Sequence, residues 1–146
     1  MNKETCNLII ELRQSEQPQT IAPASERTTK TIVLYSPNMG LCVSLQIAFE
    51  DRYNMLTTTD SEMLMTLVES LGPDLVIIDA LPSLNLRKCF AKMKREHPQL
   101  RILLFISSRL HNPAVLGSLF PLINAVVCQP ITLTEFQRRI ISLFHE

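Results

Sequence analysis

The sequence is short of glycine, of aromatic residues, of any excess charge and of long apolar runs, and each shortage excludes a class of protein. Three glycines, Gly40, Gly72 and Gly117, in 146 residues cannot supply the G-x-G-x-x-G turn that a dinucleotide fold places after its first strand. Fourteen basic and fourteen acidic side chains leave a net charge of zero, so the chain lacks the electrostatic footprint of a nucleic-acid or anionic-membrane binder. Only 5% of its residues are aromatic, none interleave with basic ones, and no helix-turn-helix pattern follows the last strand. Nucleic acid is therefore not an expected partner. The longest apolar runs, in residues 74–81 and 102–106, are strand-length, well short of the roughly 18 to 20 residues that span a bilayer. The N-terminal MNKETCNLIIELRQ has only a broken apolar stretch and does not read as a secretory signal. Cys6, Cys42, Cys89 and Cys128 are scattered, with no C-x-x-C pair and no histidine cluster nearby. That argues against a disulfide framework or zinc site and for buried free thiols in a reducing cytosol, which makes the expected location cytoplasmic. His97, His111 and His145 accompany no nucleophile pattern or metal spacing and read as surface residues.

What is present suits one globular domain. At 46% hydrophobic and 19% charged, the chain lies far from the disordered regime, and its length supports a core without metal or disulfides. Residues 14–30, QSEQPQTIAPASERTTK, offer almost nothing to bury and read as a flexible linker. Before them, Leu8, Ile9 and Leu12 share one side of a short helix, marginal in isolation. Residues 1–30 thus form an N-terminal tail, and residues 31–146 the domain.

From residue 31 a cycle of strand, turn and helix repeats. TIVLY at residues 31–35 is a continuous β-branched run, as a strand covered on both faces requires. Leu41, Leu45, Ala48 and Phe49 recur at helical spacing. A second strand follows at residues 54–59, then a helix capped by Asp60 or Ser61, with Leu64, Leu67, Val68 and Leu71 in one stripe and Gly72-Pro73 as its stop. The third strand, residues 74–78, ends at Asp79. Leu86, Phe90 and Met93 line the next helix, closed by Pro98. Residues 101–106 make the fourth strand, 113–120 a shorter helix and 125–128 the fifth strand. Thr132 and Glu135 open a last helix carrying Phe136, Ile140, Ile141 and Phe144. Five strands alternating with five helices imply an α/β fold with a doubly wound five-stranded parallel sheet of the flavodoxin-like kind. In such sheets the functional crevice lies beyond the carboxyl ends of the strands, where strand order reverses.

The loops at that edge read Ser36-Pro37-Asn38, Asp79-Ala80-Leu81-Pro82, Ser107-Ser108-Arg109 and Gln129-Pro130. An aspartate closing an apolar third strand with Leu-Pro shortly after, a hydroxyl closing the fourth strand, and a residue followed by proline closing the fifth together resemble the receiver domains of bacterial response regulators, over about residues 30–146. The resemblance implies the (βα)5 receiver fold, a phospho-acceptor role for Asp79 and a phosphoryl-contacting role for Ser107. It also implies two acidic Mg²⁺ ligands after the first strand and a lysine after the fifth. Phosphoryl transfer needs that metal and that cation to neutralise the attacking, equatorial and leaving oxygens. Here Ser36 and Pro37 stand in place of the acids and Gln129 in place of the lysine. Val126 stands where the family often has a switching aromatic.

With two of three anionic ligands and the lysine absent, the conventional chemistry should lose on the order of a hundredfold or more per missing group. No metal, no cofactor and no enzymatic activity are expected, and Mg²⁺ binding is not. Asp79 then reads as a strand-end carboxylate capping backbone amides, and Gln129 as a neutral hydrogen-bonding group across the crevice. The expectation is an atypical, pseudo-receiver module that works through protein contact, independently of phosphorylation, in bacterial signal transduction. By the same resemblance the partner or homodimer surface is the fourth helix, fifth strand and fifth helix, including Val126, with Arg138 and Arg139 at its rim. The alternative is a phosphorylatable receiver that accepts a phosphoryl group on Asp79 with a rearranged metal site using Ser36, Asn38, Asp60 or Glu62. The turn at residues 36–44 has hydroxyls and a glycine before a helix and faintly resembles a phosphocysteine loop of sugar phosphotransferases, but Cys42 falls inside the helix. Arg87, Lys88, Lys92, Lys94 and Arg95 on the third helix read as a solvated basic face.

Overall fold

The computed structural model describes residues 29–107 and 112–145. The N-terminal segment, most of the linker, Cys6, Ser108, Arg109 and His111 lie outside those residues. The chain runs β1 (Thr31–Tyr35), α1 (Met39–Phe49), β2 (Asn54–Thr58), α2 (Ser61–Leu71), β3 (Leu75–Asp79), α3 (Leu84–Glu96), β4 (Arg101–Ser107), α4 (Pro113–Leu119), a 3₁₀ turn (Phe120–Leu122), β5 (Ala125–Gln129) and α5 (Leu133–Phe144). Every strand pairs in parallel, in the order β2-β1-β3-β4-β5. This is the doubly wound arrangement expected from the alternating pattern.

Local chemistry sets the boundaries. Asn38, Asp60, Ser83, Asn112 and Thr132 each cap a helix by accepting from an amide of its first turn. Gly72 ends α2 in the left-handed region at φ 53°, which a residue without Cβ adopts at no steric cost. The inner positions of β1, β3 and β4 carry apolar side chains on both faces, and their period of two divides these between two cores. Ile32, Leu34, Leu75, Ile77, Leu103 and Phe105 join Leu45, Phe49, Phe136 and Ile140 under α1 and α5. Val33, Val76, Ile78, Ile102, Leu104 and Ile106 join Leu64, Val68, Phe90, Met93 and Leu119 under α2, α3 and α4. Each such side chain contributes about 1.5–3 kcal/mol on burial. The central strands β1, β3 and β4 therefore hold the edge residues on a rigid frame.

Three expectations change. Among the described cysteines only Cys42 is buried, while Cys89 is half-buried and Cys128 exposed; Cys128 sits on β5, which has a neighbouring strand on one side only. His145 is exposed, but His97 is half-buried, because the chain turns there at the end of α3 to start β4. Leu71, at the end of the α2 stripe, is exposed, since the last turn of the helix runs past the sheet cover that Leu64 and Val68 reach. No helix among the described residues is long and apolar enough to cross a membrane.

Candidate functional site at the carboxyl edge

The strand order reverses between β1 and β3. Tyr35 pairs with Ile78, so the next residue of each strand, Ser36 and Asp79, arrive side by side at the switch point. Ser36 Oγ donates to Asp79 Oδ2 at 2.6 Å, a short charge-assisted bond.

Ser36 is fully buried, and every polar group it has is engaged. Its amide donates to the Thr58 carbonyl at 3.2 Å, and its hydroxyl accepts from the Asn38 amide at 3.0 Å. Its carbonyl accepts from the Cys42 thiol at 3.6 Å. Asn38 in turn caps α1, its Oδ1 accepting from the Leu41 amide at 3.2 Å. The exposed Pro37 lies between them. The amides of Ser36, Asn38, Leu41 and Cys42 are thus already used within the fold. Ser44 Oγ also turns inward, donating to the Gly40 carbonyl at 2.8 Å.

Asp79 is half-buried, and that burial pushes its carboxyl above the ordinary carboxylate range, with the Ser36 hydroxyl offsetting part of the rise. Burial likewise raises the Cys42 thiol; its bond to Ser36 lowers it in part and the Asp79 charge raises it further. Cys42 is therefore a protonated donor that braces the β1–α1 turn, and a thiolate nucleophile there is disfavoured. The expected role of Asp79 as a cap for backbone amides needs correction: its partner is a side chain, because β3 delivers it beside Ser36 rather than beneath a helix start.

Ser107 and Gln129 are in register as the last residues of β4 and β5, and the Gln129-Pro130 peptide is cis. Pro130 is exposed and Gln129 half-buried. The carboxylate of Asp79 is bonded to Ser36, and the bond expected from Gln129 across the crevice is not made to it. Asp60 caps α2, accepting from the Glu62 amide at 2.9 Å, and both residues are exposed. Among the described residues no three histidine, cysteine, aspartate or glutamate side chains converge on a point that could hold a metal. A Mg²⁺ ion demands near-octahedral oxygen ligation. One carboxylate, with an oxygen already bonded to a buried hydroxyl, is a donor set that does not fit it.

The rim residues divide between layers. Val126 packs partly buried against the α2–α4 core. Arg138 and Arg139 are exposed on α5, and both pair with Glu135, at 3.4 and 3.3 Å. Thr132 accepts from the Glu135 amide at 3.1 Å, while the Glu135 carboxylate turns to the arginines. The bracing roles of Cys42 and Thr58 escaped sequence reasoning. The Thr58 contact depends on the register of β1 against β2 and the Cys42 contact on the first turn of α1 lying over the end of β1, and neither is a local sequence pattern.

No protein-family model matches the sequence, and no curated protein matches it. Solved structures do. A response regulator from Thermotoga maritima superposes with a TM-score of 0.71 at 14% identity, covering 82% of this chain and all of that one. The fold is that of a receiver domain. The signal receiver domain of an HD domain-containing protein from Pseudomonas fluorescens gives a TM-score of 0.71 at 16% identity, over 81% of this chain and 96% of that one. A CheY-like response regulator receiver domain protein from Methanospirillum hungatei gives 0.69 at 14%, over 81% and 96%. The likeness covers about four fifths of the chain.

Proposed function

We propose that this chain is a receiver-fold protein-interaction module of a signalling pathway, held in one state without phosphorylation, and not an enzyme. The observation that carries the reading is the bond from Ser36 to Asp79. A buried neutral hydroxyl occupies the carboxylate at the position where phosphoryl transfer would need a metal and a lysine. With Ser36 and Pro37 in place of the acids and Gln129 in place of the lysine, Asp79 lacks the metal ligands and the cation that would neutralise charge during phosphoryl transfer. The β1–α1 turn, where the acidic metal ligands would stand, is instead braced by Thr58, Asn38 and Cys42. Without a phosphoryl switch, signalling falls to surface contact, and the face of α4, β5 and α5 supplies it. Phe120 of the 3₁₀ turn after α4, Cys128 and Ile141 are exposed there, with Arg138 and Arg139 paired to Glu135 on α5, a mix of apolar and charged groups suited to a protein partner.

Beryllofluoride with Mg²⁺, a mimic of the phosphoryl group, tests the reading by amide NMR. The expected spectrum is unchanged at Ser36 and Asp79 and along β5. Saturable shifts at Asp79 that spread to Val126 would overturn it and establish the alternative, a phosphorylatable receiver with a rearranged metal site.

A further inference from the structure

The sequence of α1, MGLCVSLQIAF, contains no charged residue. Its inner face is buried, yet Met39 is 68%, Val43 47% and Ile47 39% exposed. Spaced four apart, these three lie one above another in a single apolar row about 12 Å long. By contrast α3, on the opposite layer, turns Arg87, Lys88, Lys92 and Arg95 to solvent. A continuous apolar row on an otherwise uncharged helix marks a contact surface.

We propose that the chain's own N-terminal segment, through Leu8, Ile9 and Leu12, docks on this row. Three observations select that occupant. The first is location. Lys30 Nζ lies over the Phe144 ring at 5.9 Å, Phe144 contacts Tyr53 at 5.5 Å, and Tyr53 contacts Phe49 at 6.1 Å. The N-terminal segment therefore joins the fold in the α1/α5 layer, beside the end of α1 that carries Ile47. The second is reach. Sixteen residues, the number from 14 to 29, span roughly 20–24 Å in any chain without secondary structure, against about 16 Å for the whole of α1. The third is size. A row of three side chains is far below the roughly 800 Å² per partner of a stable dimer, whereas it matches a helix with a stripe of three apolar residues. Tethering supplies an effective concentration on the order of millimolar, and the contact supplies the partner surface that a short helix needs in order to form.

The test uses the 146-residue chain with Cys89→Ser and Cys128→Ser and a nitroxide on Cys6, read by amide NMR. The amides of Val43 and Ile47 should lose most of their intensity while those of α3 stay sharp. Adding Val43→Glu and Ile47→Glu, both at exposed positions, should restore the intensity with the spectrum otherwise dispersed. Intensity kept at α1, or lost at α3 instead, overturns the proposal. Spin-labelled chain mixed with an isotope-labelled chain lacking the nitroxide should leave α1 unbroadened. Broadening in that mixture makes a second copy the occupant and also overturns it.

Discussion

The two ends of β3 each carry an aspartate, and the two are held in different ways. Asp74, just before the strand, accepts from the Thr31 amide through Oδ2 at 2.9 Å. Its own amide donates to the Thr31 carbonyl at 2.9 Å and its carbonyl accepts from the Arg101 amide at 3.2 Å. It ties β1, β3 and β4 together at the amino end, substituting for a backbone acceptor. Asp79, closing the same strand, accepts instead from the hydroxyl of Ser36, a residue of the β1–α1 loop. The same residue type, five positions apart, serves backbone pairing at one end and a side-chain lock at the other. A carboxylate in a parallel sheet takes its role from what the neighbouring strand presents.

Substitutions can break or sharpen that contrast. The largest effect is expected in the strand between the two ends. Ile77 is fully buried, and Ile77→Ala should cost about 2–5 kcal/mol in chemical denaturation, loosening both ends together. Asp74→Ala strands the Thr31 amide and should cost about 1.5–3 kcal/mol, with accelerated amide exchange confined to the amino ends of β1, β3 and β4. Ser36→Ala should cost about 1–2 kcal/mol, with the change confined to the carboxyl edge and the Asp79 carboxyl pushed further up, readable by carbon NMR titration. If the two variants loosened the same amides, the distinction between the ends would fail.

The smallest effect is a pH dependence. Burial raises the Asp79 carboxyl in the folded chain, so the folded state holds that proton to higher pH than the unfolded state does. Its contribution is fully present below the unfolded carboxylate value and declines as pH rises through the folded one. Relative to Asp79→Asn, the wild-type chain should therefore lose stability as pH rises from the ordinary carboxylate range toward neutrality. Melting temperatures of the pair across that range check the sign; a wild type that gained on the variant would contradict it.

The apolar strands TIVLY, LVIID and RILLFI, the proline and glycine stops and the polar caps made the five βα units readable, because each is a local property of the chain. The parallel, doubly wound sheet followed from the alternation, and with it the gathering of Ser36 and Asp79 at the carboxyl edge. Their bond was not readable. It depends on Tyr35 standing opposite Ile78, a register between residues 43 apart that no local pattern encodes. Cys42 was likewise legible as a helix residue but not as a brace for Ser36, since that contact needs the first turn of α1 folded back over β1. Exposure at the margins misled for a related reason. Cys128 and Leu71 have core chemistry and edge positions, and only the packed layers reveal where the cover ends.

The central claim, that Asp79 is locked rather than poised for phosphoryl transfer, is tested most directly by incubating the chain with acetyl phosphate and Mg²⁺ and reading its intact mass beside that of Asp79→Asn. The account predicts the same unmodified mass for both. A stoichiometric phosphoryl adduct on the wild-type chain, absent from Asp79→Asn, would contradict it.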